Sequence, residues 1–182
     1  MLFMDELSKL FATPEPPELG PGPRPDVWSA DTVNQAVDKF CRVAKLPGGK
    51  AQLILALALL WHDHLEASHV LAQSVDTSDG AFVHGIMHRR EPDYGNAAYW
   101  FRRVGRHSAF PEIARRVAEC LTAVKQDYLA ARLAPQGEWD AFAFINACEQ
   151  AGHCERSDRT PRLLREAQKI ETEVLAQVIL AG

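Results

Sequence analysis

The chain has 182 residues, of which 47% are hydrophobic and 24% are charged. These proportions are typical of one globular domain with a hydrophobic core. The formal net charge of −4 excludes the strongly basic surface of a general nucleic-acid-binding protein. The first residues lack the basic segment of a signal peptide, and the longest apolar run, nine residues from Leu53 to Trp61, is too short to span a bilayer. We therefore expect a cytoplasmic protein that binds neither nucleic acid nor membranes.

The first 28 residues are predicted to form an N-terminal segment and a proline-rich arm. Apolar residues between Leu2 and Phe11 make a short amphipathic stretch, for which docking on the body of the protein is a commoner outcome than docking on a partner. Residues 13–26 then contain six prolines and two glycines. Because proline lacks a backbone donor and disfavours helix, this part should be extended. Residues 29–182 are left as a single helical domain.

Beyond Ser29, every periodic segment has the spacing of a helix, and none keeps the alternation of a strand. The predicted helices are residues 31–45, 50–61, 111–133 and 138–151, and one that starts at Thr160. Gly152 is predicted to stop its helix in the left-handed conformation. Thr160 is expected to be an N-cap, followed by Pro161 at the first helical position. The sequence therefore predicts an all-α protein. Its four cysteines have no CxxC spacing and are expected to be reduced thiols.

An internal repeat lies in the middle of the chain. The segment DHLEASHVL (63–71) aligns with DYGNAAYWF (93–101) at an offset of 30 residues. Asp63 aligns with Asp93, and both are predicted N-caps, Asp63 in a capping box with Glu66. Ala67 aligns with Ala97, where two helices would cross closely. The alignment predicts two helical hairpins, residues 50–74 and 79–104.

Residues 50–106 resemble tetratricopeptide and Sel1-like helical hairpins. Gly85, Ala97 and Phe101 stand at the small, small and aromatic positions of that pattern, and DYGNAAYWFRRVG is similar to the second half of a Sel1-like repeat. The resemblance implies stacked antiparallel hairpins and a concave face for a partner, and it implies no activity. The wider block HGIMHRREPDYGNAAYWFRRVG also resembles a family of uncharacterised proteins.

Six of the seven histidines lie between residues 62 and 107. His84 and His88 are four residues apart and therefore share one face of a helix. Stacking of adjacent hairpins would bring His69 towards them. Three imidazoles suit Zn²⁺, Ni²⁺ or Fe²⁺. One hypothesis is therefore a metal-dependent enzyme that uses the histidines between His62 and His88, with His69, His84 and His88 as ligands.

Other features bear on this metal hypothesis. An added oxygen ligand would come from Asp63, Glu66 or Asp93. The segment HGIMH has the spacing of HExxH but lacks the glutamate that serves as the base. No nucleotide cofactor is expected, because LPGGKAQ lacks the GxxxxGK spacing of a phosphate-binding loop.

A second hypothesis is a polar pocket for an anionic small molecule or an acidic partner segment. Residues 89–116 hold seven arginines against three acidic residues. Arg89 and Arg102 would grip a phosphate or carboxylate, and Tyr94 and Tyr99 would stack on a ring.

If such a pocket were catalytic, its acid–base groups would be His84, His88 and Asp93. A third hypothesis is a protein–protein interaction scaffold in which the histidines are structural. The sequence also leaves self-association open.

Overall fold

The computed structural model describes residues 2–152 and 158–182. In these residues the chain forms ten α-helices, one 3₁₀ turn at Pro135–Gly137 and no strand, so the all-α prediction is confirmed. The helices are α1 Leu2–Lys9, α2 Ala30–Ala44, α3 Gly48–Trp61, α4 Leu65–Ala72, α5 Ser78–Arg90, α6 Tyr94–Val104, α7 Phe110–Ala123, α8 Asp127–Leu133, α9 Ala141–Ala151 and α10 Thr160–Ala181.

Helix α3 lies at the centre of the fold. Its alanines and leucines favour helix. Because α3 is apolar on every side, other helices surround it and it does not form part of the protein surface. Seven of the eight residues from Ile54 to Trp61 are buried. Helix α3 packs against α2, α4, α5 and α10, and α10 also contacts α7 and α9. The expectation that residues 50–61 form a buried helix is confirmed.

Consecutive helices pack in pairs: α3 with α4, α5 with α6, and α7 with α8. In the α5–α6 pair, a Cβ atom added at Gly85 would lie 2.5 Å from the Phe101 ring. Ala97 is fully buried. These small residues let α5 and α6 approach closely, as the repeat alignment predicts.

Several predicted boundaries were wrong. The helix expected over 111–133 is two helices, α7 and α8, separated by a turn in which Lys125 has a φ of 61°. Helix α9 begins at Ala141 because the Asp140 side chain caps its first turn. Gly152 has a right-handed conformation with a φ of −63°. Thr160 is the first helical residue of α10, and its backbone N–H donates to the Asp158 carboxylate.

The N-terminal segment docks on the body of the protein. Leu7, Leu10 and Phe11 are buried in the core. The extended part is held by Asp63, whose carboxylate accepts bonds from the backbone N–H and Nε of Arg24 and from Nη2 of Arg90. The capping box predicted for Asp63 and Glu66 was therefore wrong, and α4 begins after His64 without a side-chain cap.

No helix in the described part of the chain combines the length and the apolar character needed to cross a membrane. Cys41, Cys120 and Cys148 are free thiols, as expected. Cys154 and His153 lie outside the described residues.

Candidate functional site

Three imidazoles meet where α4 packs against α5. The ring centroids of His69 and His84 are 5.2 Å apart, those of His69 and His88 are 5.3 Å apart, and those of His84 and His88 are 6.1 Å apart. The prediction that His69 approaches the pair on the neighbouring helix is therefore confirmed. The helical register of α5 places His84 and His88 one turn apart, and the packing of α4 supplies His69.

His84 is the most deeply buried of the three imidazoles. It is 1% exposed and stacks on the Trp100 ring at a centroid distance of 4.0 Å. Among the described residues, neither ring nitrogen has a hydrogen-bond partner. Burial and the nearby His69 lower the pKa of His84 to about 4. The ring is therefore neutral at pH 7.

His88 contacts two polar side chains, those of Glu91 and Asn96. Its Nδ1 lies 3.2 Å from a carboxylate oxygen of Glu91, and its Nε2 lies 3.1 Å from the amide nitrogen of Asn96. Burial lowers the pKa of His88, while the Glu91 carboxylate raises it. Glu91 is itself exposed. The pair therefore links a buried imidazole to a carboxylate at the surface.

The three rings contact one another without presenting converging donor atoms. In the described part of the chain, no three His, Cys, Asp or Glu side chains are arranged to hold a metal ion. His84 lies flat on Trp100 and meets His69 edge-on, so these ring contacts orient its side chain. His69, His84 and His88 are brought together as predicted, but in an aromatic cluster.

His62 and His64 lie apart from this cluster and hold the N-terminal arm. His62 stacks on Trp28, accepts the Trp28 backbone N–H at Nδ1, and lies 3.1 Å from the Leu10 carbonyl at Nε2. His64 contacts the Trp28 carbonyl through Nε2 at 2.8 Å. The sequence WHDHL at the α3–α4 turn is thus an anchor for the arm.

The arginines at the end of α5 point into the protein. Arg89 is fully buried, pairs with Glu171 and lies 4.3 Å over the Phe144 ring. Arg90 is also buried and pairs with Asp63 at 2.7 Å. Its remaining donors bind backbone carbonyls, those of Glu18, Gly20 and Leu60. Both guanidinium groups are therefore closed to a ligand from solvent by burial, although Arg89 Nε has no partner among the described residues.

The other predicted site residues are spread along α6. Asp93 caps α6 by accepting the Asn96 backbone N–H, as the repeat alignment predicts. Tyr94 is half-buried, and burial raises its pKa. Tyr99, 49% exposed, and Arg102 are on the outer surface of α6. Tyr94 lies within electrostatic reach of the buried Arg89, whereas Tyr99 and Arg102 face outward.

A cleft of about 610 Å³ opens beside the histidine cluster, between the start of α4 and the end of α5. Its apolar lining comes from Pro21 of the arm and from Leu65, Ala67 and Val70. Its polar lining consists of Asp63, His64, Glu66 and Glu91. Glu66 and Glu91 are exposed, whereas the Asp63 carboxylate is bound to Arg24 and Arg90.

Sequence reasoning placed a pocket at this junction of two hairpins and named Glu66 only as an added metal ligand, and it missed Glu91 as charged lining. The only available signal was that Glu91 follows His88 by three residues and so shares a helix face with it.

A comparison with protein-family models, curated proteins and solved structures finds no match. The interpretation of the cleft therefore depends on its own residues.

The buried His84 ring predicts a loss of stability in mild acid. Its folded-state pKa of about 4 lies below the unfolded value near 6.5. The unfolded chain therefore binds more protons between these values. The contribution of His84 is complete above pH 6.5 and falls by about 1.4 kcal/mol per pH unit towards pH 4.

Urea unfolding at pH 7 and pH 5 measures this effect. His84→Phe keeps a ring on Trp100 and removes the titration, so its free energy of unfolding should fall about 2 kcal/mol less than that of wild type between the two pH values. Burial raises the pKa of Asp63, but its bonds to Arg24 and Arg90 lower the pKa by more, so its carboxylate stays charged between pH 7 and pH 5. Equal losses in the variant and in wild type would show that His84 does not carry the effect.

Proposed function

We propose that this protein is a helical-hairpin binding protein whose cleft between α4 and α5 takes a ligand with an ammonium or guanidinium group. The observation that carries this proposal is the charge of the cleft lining. Glu66 and Glu91 are exposed there, and the nearby Arg90 is bound to Asp63. Opposite charges attract across such a cleft, so a cation is favoured over an anion.

The remaining lining fits the aliphatic part of a basic side chain. Leu65, Ala67 and Val70 form an apolar surface along α4, and Val70 is itself exposed. Lysine and arginine bury their methylene groups on apolar surface while their charged ends reach polar partners. A cleft of about 610 Å³ has room for one such side chain with its neighbouring backbone. A basic segment of a partner protein is the form of ligand that uses both features.

The pairing of α3 with α4 and α5 with α6 supports a hairpin-repeat architecture of the tetratricopeptide or Sel1-like kind. In such arrays, neighbouring hairpins form grooves that bind peptide segments. The cleft lies between two hairpins, which is where such a groove would run.

An anionic ligand is disfavoured by the same geometry. Arg89 is fully buried against Glu171, and Arg102 lies on the surface of α6 and does not line the cleft. An anion in the cleft would meet two carboxylates instead of two guanidinium groups. The repulsion would weaken binding.

Binding of octalysine and octaglutamate to the ¹⁵N-labelled protein tests the proposal. Octalysine should shift the backbone amide resonances of residues 64–70 and of Glu91, and the affinity should fall as salt rises, because the contact is electrostatic. Replacing Glu66 and Glu91 together by Gln should weaken binding about tenfold.

Replacing Glu112 and Glu119 by Gln is the matched control. Both lie on α7 around Arg115, and their removal changes the net charge by the same amount. Equal affinity of octalysine for the two double variants would overturn the proposal, and so would octaglutamate binding in the cleft.

A further inference from the structure

A groove of about 640 Å³ lies between α1 and α2, and most of the residues that line it are apolar. Leu10 and Phe40 are its buried members, and Trp28 and Ala36 are half-buried. Val43 also lines the groove and is 68% exposed, which is a large fraction for an aliphatic side chain. Its apolar surface is therefore open to a ligand from solvent.

Helix α2 presents two apolar stripes. Val33, Val37 and Phe40 are buried in the core. Ala36 and Val43 form a second stripe, which shares Phe40 and lines the groove. Positions 36, 40 and 43 have the spacing of one helix face, and from the first to the last of them the helix rises about 10 Å. The groove therefore offers an elongated apolar surface of about this length.

The charged groups that line the groove leave one positive charge without a partner. Glu6, Lys9 and Lys39 line it and are exposed. Lys9 forms an ion pair with Glu6, and Asp38, the acidic neighbour of Lys39, forms one with Arg42. Among the residues that the structure describes, Lys39 makes no ion pair. The electrostatic complement of the groove is therefore an anion.

We propose that this groove binds an aliphatic carboxylate, with its alkyl chain along Ala36, Phe40 and Val43 and its carboxylate paired with Lys39. Burial of the chain removes apolar surface of both partners from water. An extended chain advances about 1.2 Å per bond, so about nine or ten carbons match the apolar stripe. The volume of about 640 Å³ is within the range of small-molecule sites.

This site shares no residue with the cleft between α4 and α5. The ligand proposed for that cleft is a cation, so failure of either proposal leaves the other standing.

Titration of the ¹⁵N-labelled full chain with decanoate, kept below the concentration at which it forms micelles, tests the proposal. The backbone amide resonances of residues 36–43 should shift saturably, and calorimetry gives the affinity. Decanol has the same chain without the charge and should bind about three- to fivefold more weakly. Decyltrimethylammonium should bind about tenfold more weakly than decanoate, because its cation would meet Lys39.

Two variants of exposed residues locate the site. Lys39→Gln should weaken decanoate binding about three- to fivefold, and Arg102→Gln on α6 is its charge-matched control. Val43→Asp should weaken binding by about tenfold, because it removes an apolar contact and repels the carboxylate. Its control is Val124→Asp, which places the same charge on an exposed valine just after α7. Both controls should bind as wild type does.

Absence of decanoate binding, or shifts confined to other parts of the chain, would overturn the proposal. Equal binding by a variant and its control would do the same, and so would equal affinity for decanoate and decyltrimethylammonium. A wild-type dimer in sedimentation velocity that Val43→Asp dissociates would assign the groove to a second copy of the chain, against the proposal.

Discussion

Replacing Glu171 by Gln should lower the free energy of unfolding by about 3–5 kcal/mol, because it leaves the Arg89 guanidinium charged and unpaired inside the protein. Both side chains are fully buried. Burial disfavours the charge on Arg89, but the Glu171 carboxylate more than offsets this, so the pKa of Arg89 is raised. Arg89 stays charged in the variant because a guanidinium is not deprotonated in proteins, and its remaining acceptors are the neutral amide oxygens of Gln168 and of the glutamine that replaces Glu171.

Urea denaturation of three variants distinguishes loss of the buried Arg89–Glu171 ion pair from loss of any carboxylate on α10. Glu173→Gln removes a carboxylate from the same helix, but its pair with Arg116 is partly exposed, so its loss should cost at most about 1 kcal/mol. Replacing Arg89 and Glu171 together by Met and Leu removes both charges and should be less destabilising than Glu171→Gln. Equal stability of Glu171→Gln and Glu173→Gln would contradict the buried-pair account.

The sequence predicted the features that depend on local periodicity. Helical spacing located most of the helices, and the 30-residue repeat placed a close crossing of two helices at Ala97, which is fully buried. The register of α5 and the packing of adjacent hairpins predicted that His69 would meet His84 and His88. These predictions needed only the geometry of one helix or of two neighbouring ones.

The sequence did not predict which charges pair. Arg89 binds Glu171, which lies 82 residues later, and Arg90 binds Asp63, which lies 27 residues earlier. Local pattern carries no information on partners so far apart. A run of arginines on a helix therefore resembled an anion site, although two of them neutralise buried carboxylates.

Asp63 is a second residue whose partners the local sequence did not predict. An aspartate before a helix, with a glutamate three residues later, has the pattern of a capping box. Its φ of 66° instead turns the side chain towards the arm, where a Cβ added at Gly22 would lie 2.8 Å from it. Asp63 thus binds Arg24 and Arg90 instead of capping the first turn of α4.

Replacing Asp63 by Asn should release the arm and lower the free energy of unfolding by about 3 kcal/mol. Burial raises the pKa of Asp63, but the hydrogen bonds from Arg24 and Arg90 outweigh this effect, so the net pKa is lowered. The carboxylate is therefore charged in the folded protein. Asn tolerates a positive φ, so the substitution removes the charge without adding backbone strain. Arg90 then remains buried with carbonyl partners only.

Hydrogen exchange of the arm measures this release directly. In Asp63→Asn, the backbone amides of residues 13–26 should exchange faster, because the carboxylate binds Arg24 of the arm directly and pairs with Arg90, which donates to the Glu18 and Gly20 carbonyls. Asp26→Asn is the matched control: Asp26 lies in the same arm, is exposed, and also has a positive φ, so its exchange should match wild type. Unchanged protection of the arm in Asp63→Asn would mean that the Arg90 bonds to Glu18 and Gly20 hold it without the carboxylate. The arm should exchange much faster than α3, which keeps the slowest amides because it is held by apolar packing on every side.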